Sequence, residues 1–567
     1  MKKLLYIISA ALMVSACHFL DFDETSSLYD RDDMYSTYSN IQKMLTNIYG
    51  YMPSKDIADV SSALRDCGSD DAEYADPDAS VQRFTNGNWS PVQTVDDKWS
   101  LYNAVRASNE FLESMETVDI SLYKYDAKYS KWLEHLALYP YEARTLRAYY
   151  LFELARRYGD IAMPVDVMLS VAEANSIGKT PFNDVIAYIA EECDTCANHL
   201  PDTYIGMLDD EYGRVTRGFA MAVKTKALLY AASPLHNPGG DVDKWREAGK
   251  AAGAVMDLKS DNGMPVYTLD PAEKANNITP SQETILQIMR SESNSFERTN
   301  FPSRFTMGQR TYMAGTFPTQ NLVDAFQTAA GYDITLDGTG WHTDDPAFDV
   351  TKPYDGRDPR FARAVLADGM AFKGSAIDAK VGGADYSATR EGLGTPTGYY
   401  LRRYIIEDCD FTPEAEISAK HSWIVSRYAE IVLSYAEAVN EVLGPDATDA
   451  DFPISARAAL NQVRANAGMP DVTVSGKDDF RKAVQREWRV EFAFEDHRFW
   501  DVRRWKIGQD TQTSVSGVEI TSNGAVKSYK RTLVENRTWD DKMYLYPIPQ
   551  SELFCNPNLG PQNDGWQ

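Results

Sequence analysis

Apolar and polar residues in the first half of the chain repeat with the period of amphipathic helices. In YEARTLRAYYLFELARRYGDIAMP, Ala143, Leu146, Tyr150 and Leu154 recur at steps of three and four residues, which places them on one helix face. Gly159 follows two arginines of the last turn, and this order predicts the helix end there.

Similar amphipathic stretches lie before and after this helix, separated by short turns. One covers about residues 103–115, before it. The others come after it and start with Thr180 as N-cap, at Thr216 and near Trp245. Helical periodicity resumes after residue 421 in SRYAEIVLSYAEAVNEVLG, ARAALNQVRANAGMP and DDFRKAVQREWRVEFAFEDHRFWDVRRW. Small residues stand where helices would approach closely. The pattern predicts a mainly α fold with tetratricopeptide-like helix pairs.

The stretch from about residue 262 to 420 has a different amino-acid composition. Gly, Asp, Pro and Thr are frequent there, and aromatic residues are scattered among them. This composition predicts a long, irregular, partly β region, in which YYLRRY is expected to be a strand. Long loops in a compact protein usually carry function.

The opening MKKLLYIISAALMVSAC is typical of a bacterial lipoprotein leader. Two lysines precede an apolar run that is too short to span a bilayer. Val14 to Cys17 resembles a lipobox, so residues 1–16 are predicted to be a signal peptide and Cys17 the lipidated first residue. A plain secretory signal is the alternative. The acidic residues after Cys17 suit either a surface-export signal or a solvated linker.

Composition narrows the class of protein further. The chain has 567 residues, of which 43% are hydrophobic and 25% charged, and its net charge is −26. Such an acidic chain repels phosphate backbones, so we expect no nucleic-acid partner. Six cysteines are too few for a disulfide scaffold. Cys193 and Cys196 lie on the apolar stripe of one predicted helix, so we interpret them as core residues and not as a zinc or redox pair.

The segment REWRVEFAFEDHRFWDVRRW contains the strongest candidate for a metal site. If it forms one helix, it carries five side chains of metal-ligand type: Glu487, Glu491, Glu495, His497 and Asp501. The alternative is a packed helix in which Glu495 pairs with Arg498, and Asp501 with Arg504. Interleaved arginines and aromatics favour the packed helix.

Other signatures of catalysis are missing from the sequence. It contains no HExxH, GxSxG or GxxxxGK[ST] motif, and no cofactor is predicted. Among 83 acidic residues no pair of carboxylates stands out for glycoside hydrolysis. Aromatic residues on loops remain, and flat aromatic faces can stack on sugar rings. For Phe84 and Trp89 in the first loop region, ligand binding and core packing are equally open interpretations.

Several ordered stretches resemble the SusD/RagB family of nutrient-binding surface lipoproteins. They are LRAYYLFELARRYGDIAMP, PTQNLVDAF, YDGRDPRF, RYAEIVLSYAEAVNEV, LNQVRANAGMP, WRVEFAFEDHRFWDVRRW and LYPIPQSELFCNPNLGPQND. The resemblance spans essentially the whole chain. It implies a single SusD-like domain over residues 17–567, with a helical part to about 260, the loop-rich ligand-binding region at 262–420, and C-terminal helices with a Pro-rich tail at 421–567.

The resemblance also implies a function. A SusD-like protein is not an enzyme; it sits on the outer face of the outer membrane beside a SusC-like TonB-dependent barrel transporter and hands it captured glycan. A peptide- or glycoprotein-binding member is the alternative, and a surface glycoside hydrolase a further one. The candidate ligand-binding residues are Tyr74, Arg83 and Trp89 in the first loop region, with Tyr312, Tyr332 and Trp341 in the middle region.

Overall fold

The computed structural model describes residues 31–52, 60–166, 170–207, 212–270, 281–308, 314–387 and 394–566. Cys17, the predicted signal peptide and Tyr312 lie outside the described residues. The structure is mainly helical, with 41% helix and 13% strand. This confirms the predicted fold class.

Ten helices of seven or more residues are present in the described part of the chain. They are α1 Tyr38–Tyr49, α2 Leu101–Met115, α3 Tyr129–Tyr158, α4 Phe182–Ala197, α5 Arg217–Ala232, α6 Val242–Met256, α7 Tyr428–Leu443, α8 Ala456–Asn466, α9 Lys477–Glu491 and α10 Arg498–Arg504. Shorter α-helices cover Arg31–Met34, Val171–Ala174, Ser295–Asn300, Gln320–Val323, Phe361–Ala364, Gly508–Thr511 and Gln550–Cys555. Short 3₁₀ turns cover Arg65–Gly68, Ser80–Phe84, Ser121–Tyr123, Ser303–Phe305, Asp541–Tyr544 and Pro557–Leu559.

The helices α2 to α9 form one continuous array. Each of them packs against the next, so that α2–α3, α4–α5, α6–α7 and α8–α9 are successive helix pairs. These are the tetratricopeptide-like pairs that the sequence predicts. The chain leaves this array after α6 and returns to it at α7. The middle region is therefore an insertion between the two helices of one pair.

Local chemistry explains most of the helix ends. The Thr216 hydroxyl accepts a hydrogen bond from the Phe219 N–H and caps α5, as predicted. Gly159 ends α3 with a φ of +72°, which glycine adopts without strain. The N-cap predicted at Thr180 is wrong: Thr180 forms a backbone bridge with Ile161, and α4 starts at Phe182.

A two-stranded ladder holds the ends of the middle region together. Strand β2 (Thr284–Met289) pairs antiparallel with β10 (Ser422–Arg427), which leads directly into α7. Between them lie short strands: β3 Thr316–Pro318, β4 Ile334–Leu336, β5 Trp341–Thr343, β6 Val365–Leu366, β7 Ala371–Phe372, β8 Ser375–Ala376 and β9 Tyr400–Leu401. The strand predicted for YYLRRY is limited to β9, because the chain turns through a positive φ at Tyr404.

The longest strands were not predicted from the sequence. Strands β11 (Ser514–Asn523) and β12 (Val526–Asn536) form an antiparallel hairpin. The two-residue loop at its tip is Gly524–Ala525, with Gly524 at a φ of +63°, and glycine at the first loop position is typical of a tight hairpin turn.

The interpretation of residues 487–501 as one helix is also wrong. Helix α9 ends at Glu491, and Phe494 and Asp496 adopt positive φ values before α10 begins. The predicted pair of Asp501 with Arg504 forms at 2.7 Å. Glu495 instead accepts hydrogen bonds from Arg403 and Arg427, which are distant in sequence.

The carboxylates of this segment belong to a buried network of ion pairs. One nitrogen of Arg427 donates to both Glu283 and Glu491, at 2.7 Å each, and Arg464 donates to Glu487 at 2.9 Å. Buried charges are stable only when they are paired in this way. In the described ranges no group of three or more His, Cys, Asp or Glu residues is arranged to hold a metal ion.

Candidate functional site

The first loop region and the middle region meet at a small β ladder. Strand β1 (Ala72–Tyr74) pairs antiparallel with β3, so that Tyr74 lies opposite Thr316. The Thr319 hydroxyl donates to the Asp70 carbonyl at 2.6 Å and strengthens this junction. The two regions that carry the candidate ligand-binding residues are thus adjacent here. Tyr74 itself is buried.

Trp89 and Arg83 are both held by neighbours in this first loop region. Trp89 is only 4% exposed, and its ring packs against Phe84, Tyr546 and Trp566 with centroids 4.7–5.1 Å away. This favours the core interpretation of Trp89 and Phe84. Arg83 is half-buried, and its guanidinium donates to the Thr94 carbonyl at 2.7 Å.

The two candidates of the middle region differ in exposure. Trp341 is 8% exposed, and its ring lies edge-on to Tyr354 and Tyr529, at 5.9 and 6.4 Å. Tyr332 is 42% exposed and so presents its ring to solvent. Trp89 and Trp341 therefore belong to separate aromatic groups.

A groove elsewhere on the surface combines aromatic rings with free polar groups. It lies between the start of α2, residues 162–166 and 171–177, and the segment 552–559, and has a volume of about 250 Å³. We call it the tryptophan groove. Trp99 and Tyr102 form its aromatic wall, with ring centroids 4.9 Å apart.

Hydrogen bonds fix the walls of the tryptophan groove. The Tyr102 hydroxyl donates to the Ala162 carbonyl at 3.1 Å, and burial raises the Tyr102 pKa, so the phenol stays neutral. Asn109 donates to the Pro164 carbonyl at 2.7 Å. Asn556 donates to the Ile177 carbonyl at 2.8 Å and so attaches the C-terminal wall.

Other polar side chains of the groove are available to a ligand. Asn103 and Asn175 are exposed, and their side-chain amides make no hydrogen bond to any residue that the structure describes. Asp166 and Glu552 add carboxylates at the rim. Cys555, an exposed free thiol, also lines the groove. The site therefore offers flat apolar faces beside uncommitted donors and acceptors.

A larger groove, of about 590 Å³, lies between the α4–α5 connection, the segment after α6 and strand β2. We call it the tyrosine groove, after Tyr204, Tyr212 and Tyr267. Several of its polar groups are hydrogen-bonded within the protein: the Tyr204 hydroxyl donates to the Val215 carbonyl at 3.1 Å, and Thr268 donates to Gln282 at 3.1 Å. Tyr212 alone of the three tyrosines is well exposed.

Sequence reasoning missed the tryptophan groove. Trp99, Tyr102, Asn103 and Arg106 are spaced three, four and seven residues from the first, which places them on one face of a helix start. That spacing could have marked them as a set. The opposite wall, residues 552–559, is too distant in sequence to be assigned to it by pattern.

The four remaining cysteines that the structure describes besides Cys555 are buried and free. Cys193 and Cys196 lie in α4 as core residues, as predicted, and burial raises both thiol pKa values. Across the described residues no helix has the length and apolar character needed to cross a bilayer.

The protein is a helical-repeat scaffold. It combines an array of helix pairs with an inserted loop-rich region and open aromatic grooves. A family model described as the SusD family matches residues 277–566, and the chain belongs to that family.

Proteins with similar sequences or structures are also SusD-like. SusD-like protein P2 of Formosa agariphila is 25% identical over 437 residues, which are 75% of this chain and 73% of the relative. A SusD-like protein of Bacteroides fragilis is 27% identical with a TM-score of 0.76, covering 95% of this chain and 99% of its own. A SusD-like carbohydrate-binding protein of the same species has 23% identity and a TM-score of 0.71, with coverage of 93% and 100%.

Proposed function

We propose that this chain is a surface-exposed, lipid-anchored protein of the outer membrane that captures oligosaccharide and delivers it to a SusC-like TonB-dependent transporter. The observation that carries glycan binding is the Trp99–Tyr102 pair beside the uncommitted amides of Asn103 and Asn175. Membership of the SusD family supports the same ligand class, since one structural neighbour is a carbohydrate-binding protein. Lipidation at Cys17 and the transporter partner rest on the sequence resemblance.

The groove matches the chemistry of a sugar ring. The C–H faces of a pyranose are apolar and can stack on an indole or phenol ring, whose flat faces have large apolar area. Ring hydroxyls are both donors and acceptors, and they can bond the Asn103 and Asn175 amides and the Asp166 and Glu552 carboxylates. Because the amides make no bonds within the described protein, a sugar displaces only water from them.

We also propose that the protein binds its ligand without catalysing a reaction and without a cofactor. Glu487, Glu491 and Glu495 were candidate metal ligands in the sequence. Each of them forms an ion pair with an arginine in the protein interior. A carboxylate held in this way is not free to act as a general acid or nucleophile. Tyr312 and Tyr332 stay predicted ligand-binding residues of the middle region.

Calorimetric titration with an oligosaccharide panel tests the proposal. We expect Trp99→Ala to abolish or strongly weaken binding of the best ligand. Tyr212→Ala, in the tyrosine groove, is the matched exposed aromatic control and should retain it. Tyr332→Ala tests the predicted contact in the middle region, and loss of binding in Tyr332→Ala or Tyr212→Ala but not in Trp99→Ala would place the site away from the tryptophan groove. Binding of peptides and of no glycan would contradict the proposed ligand class.

A further inference from the structure

The connection between α2 and α3 ends in an exposed apolar tip. Its residues, 121–125, begin with the 3₁₀ turn Ser121–Tyr123. Leu122 and Tyr125 are each 89% exposed. We call this segment the α2–α3 tip. Leu122 and Tyr125 are the two most exposed of the large apolar side chains that the structure describes, and they stand three positions apart in one loop.

The conformation of the tip is fixed by local bonds. The Ser121 N–H donates to the Asp119 carboxylate at 2.7 Å, and the Lys124 N–H donates to the Ser121 carbonyl at 3.1 Å. The Tyr123 ring lies edge-on to Trp132 of α3, at 6.5 Å. Leu122 and Tyr125 are therefore directed outward by a bonded turn.

Three exposed lysines lie in the tip or directly after it. Lys124, Lys128 and Lys131 are all exposed, and the Lys124 ammonium lies 5.2 Å from the Tyr125 ring centroid. The nearby acids Asp119 and Asp126 accept backbone hydrogen bonds that shape the turns. Residues 119–131 hold these three lysines and the two aspartates, a net charge of +1 in a chain of net charge −26, and Glu116 and Glu134 flank them.

The tip lies at the end of the molecule where the described chain begins. Tyr38, the first residue of α1, stacks on Trp132 at 5.3 Å, and Trp132 is the residue that contacts Tyr123. Only 14 positions separate Cys17 from Arg31. Even a fully extended chain of that length spans at most roughly 50 Å. A lipid on Cys17 would thus keep this end of the protein close to the bilayer.

We infer that the α2–α3 tip contacts the lipid surface of the membrane to which the protein is anchored. Leu122 and Tyr125 insert at the interface, where tyrosine is favoured, and the three lysines bind anionic headgroup phosphates. This inference rests on the proposed lipid anchor. It adds an orientation: the tip faces the bilayer, so the protein is held at two points and not by the acyl chains alone.

Fluorescence quenching in vesicles tests the contact. The lipidated chain carries Tyr125→Cys in a Cys555→Ser background, labelled with an environment-sensitive dye, on phosphatidylethanolamine–phosphatidylglycerol vesicles with brominated acyl chains. Val526→Cys, a 67% exposed position at the start of β12, is the matched control. We expect the tip label to be quenched at least about twofold more than the control label.

Three outcomes would overturn the inference. Equal quenching at both positions, with the protein retained on the vesicles, would reject the contact and leave the anchor intact. Failure of the lipidated chain to bind vesicles would reject the anchor together with the contact. In intact outer membranes, a photoreactive group at position 125 that cross-links to protein and not to lipid would assign the tip to a protein partner.

Discussion

Arg498 donates from Nε and Nη2 to the two carboxylate oxygens of Asp70, at 2.8 and 3.0 Å, across 428 positions of the sequence. Arg489 adds a third bond to Asp70, at 2.8 Å. Burial opposes ionisation of Asp70, but the two guanidinium groups outweigh it and bring its pKa below the ordinary value. The pair joins the first loop region to the C-terminal helices.

Removing one partner of this pair should destabilise the protein strongly. We expect Arg498→Ala to lower the free energy of unfolding by about 3–5 kcal/mol, because Asp70 would keep a buried and only partly compensated charge. The midpoint of urea unfolding at unchanged m-value measures the loss. Lys482→Ala, which breaks an exposed pair with Asp479, is the control and should cost less than about 1 kcal/mol. Equal effects of the two variants would contradict the prediction.

Asp501 should make stability depend on pH in the opposite direction from a typical paired carboxylate. Burial raises its pKa to about 6, although Arg504 counteracts this. Below pH 4 Asp501 is protonated in both states. Between about pH 4 and 6 the unfolded chain loses the proton first, so the contribution of Asp501 to stability falls as the pH rises.

The variant Asp501→Asn removes this titration. Between pH 4 and 7 its free energy of unfolding should gain about 2–3 kcal/mol relative to the unmodified chain. Urea unfolding at several pH values measures the difference, with the exposed Asp479→Asn as a matched control. Parallel curves for Asp501→Asn and the unmodified chain would show that Asp501 is not held protonated.

The free amides of the tryptophan groove should contribute to affinity without contributing to stability. We expect Asn103→Ala and Asn175→Ala each to weaken oligosaccharide binding about 3- to 10-fold, as for loss of one hydrogen bond. The unfolding midpoint should not change, because neither amide bonds to the described protein. Calorimetry and urea unfolding on the same samples separate the two effects. Unchanged affinity in both variants would exclude these amides from the site.

Cys555 provides a chemical footprint of the same groove. It is exposed and lines the groove, whereas Cys67, Cys193, Cys196 and Cys409 are buried. A bulky maleimide should therefore label Cys555 first, and the label should block oligosaccharide binding. Saturating oligosaccharide should in turn slow labelling by about tenfold, as expected for an occupied site. Cys555→Ser should bind ligand normally; labelling at an unchanged rate with bound ligand would place the site elsewhere.

The helical part of the fold could be predicted because its signals are local. The face of α7 formed by Tyr428, Val432, Tyr435 and Val439 follows directly from a spacing of three and four residues, and all four are buried. The end of α3 at Gly159 follows from glycine chemistry. Such features depend on neighbouring residues, and tertiary packing then reinforces them.

The candidate site could not be predicted to the same extent. Trp89 and Trp341 are conspicuous in the sequence, but both are packed against other rings, because the whole fold decides which rings are exposed. Glu495 pairs with Arg403 and Arg427 and not with its neighbour Arg498, because positive φ values at Phe494 and Asp496 interrupt the helix. Ring exposure and long-range ion pairs have no periodic signature in the sequence.

The attachment of the C-terminal segment to the N-terminal half determines when the binding surface exists. The Tyr546 hydroxyl donates to the Asp96 carboxylate across 450 positions, and Trp566 packs on Trp89. Residues 552–559 supply one whole wall of the tryptophan groove. A chain that emerges with its N-terminus first has no groove until these residues arrive. The protein can therefore bind its ligand only after the C-terminal segment has folded, and a nascent chain that lacks this segment cannot bind it.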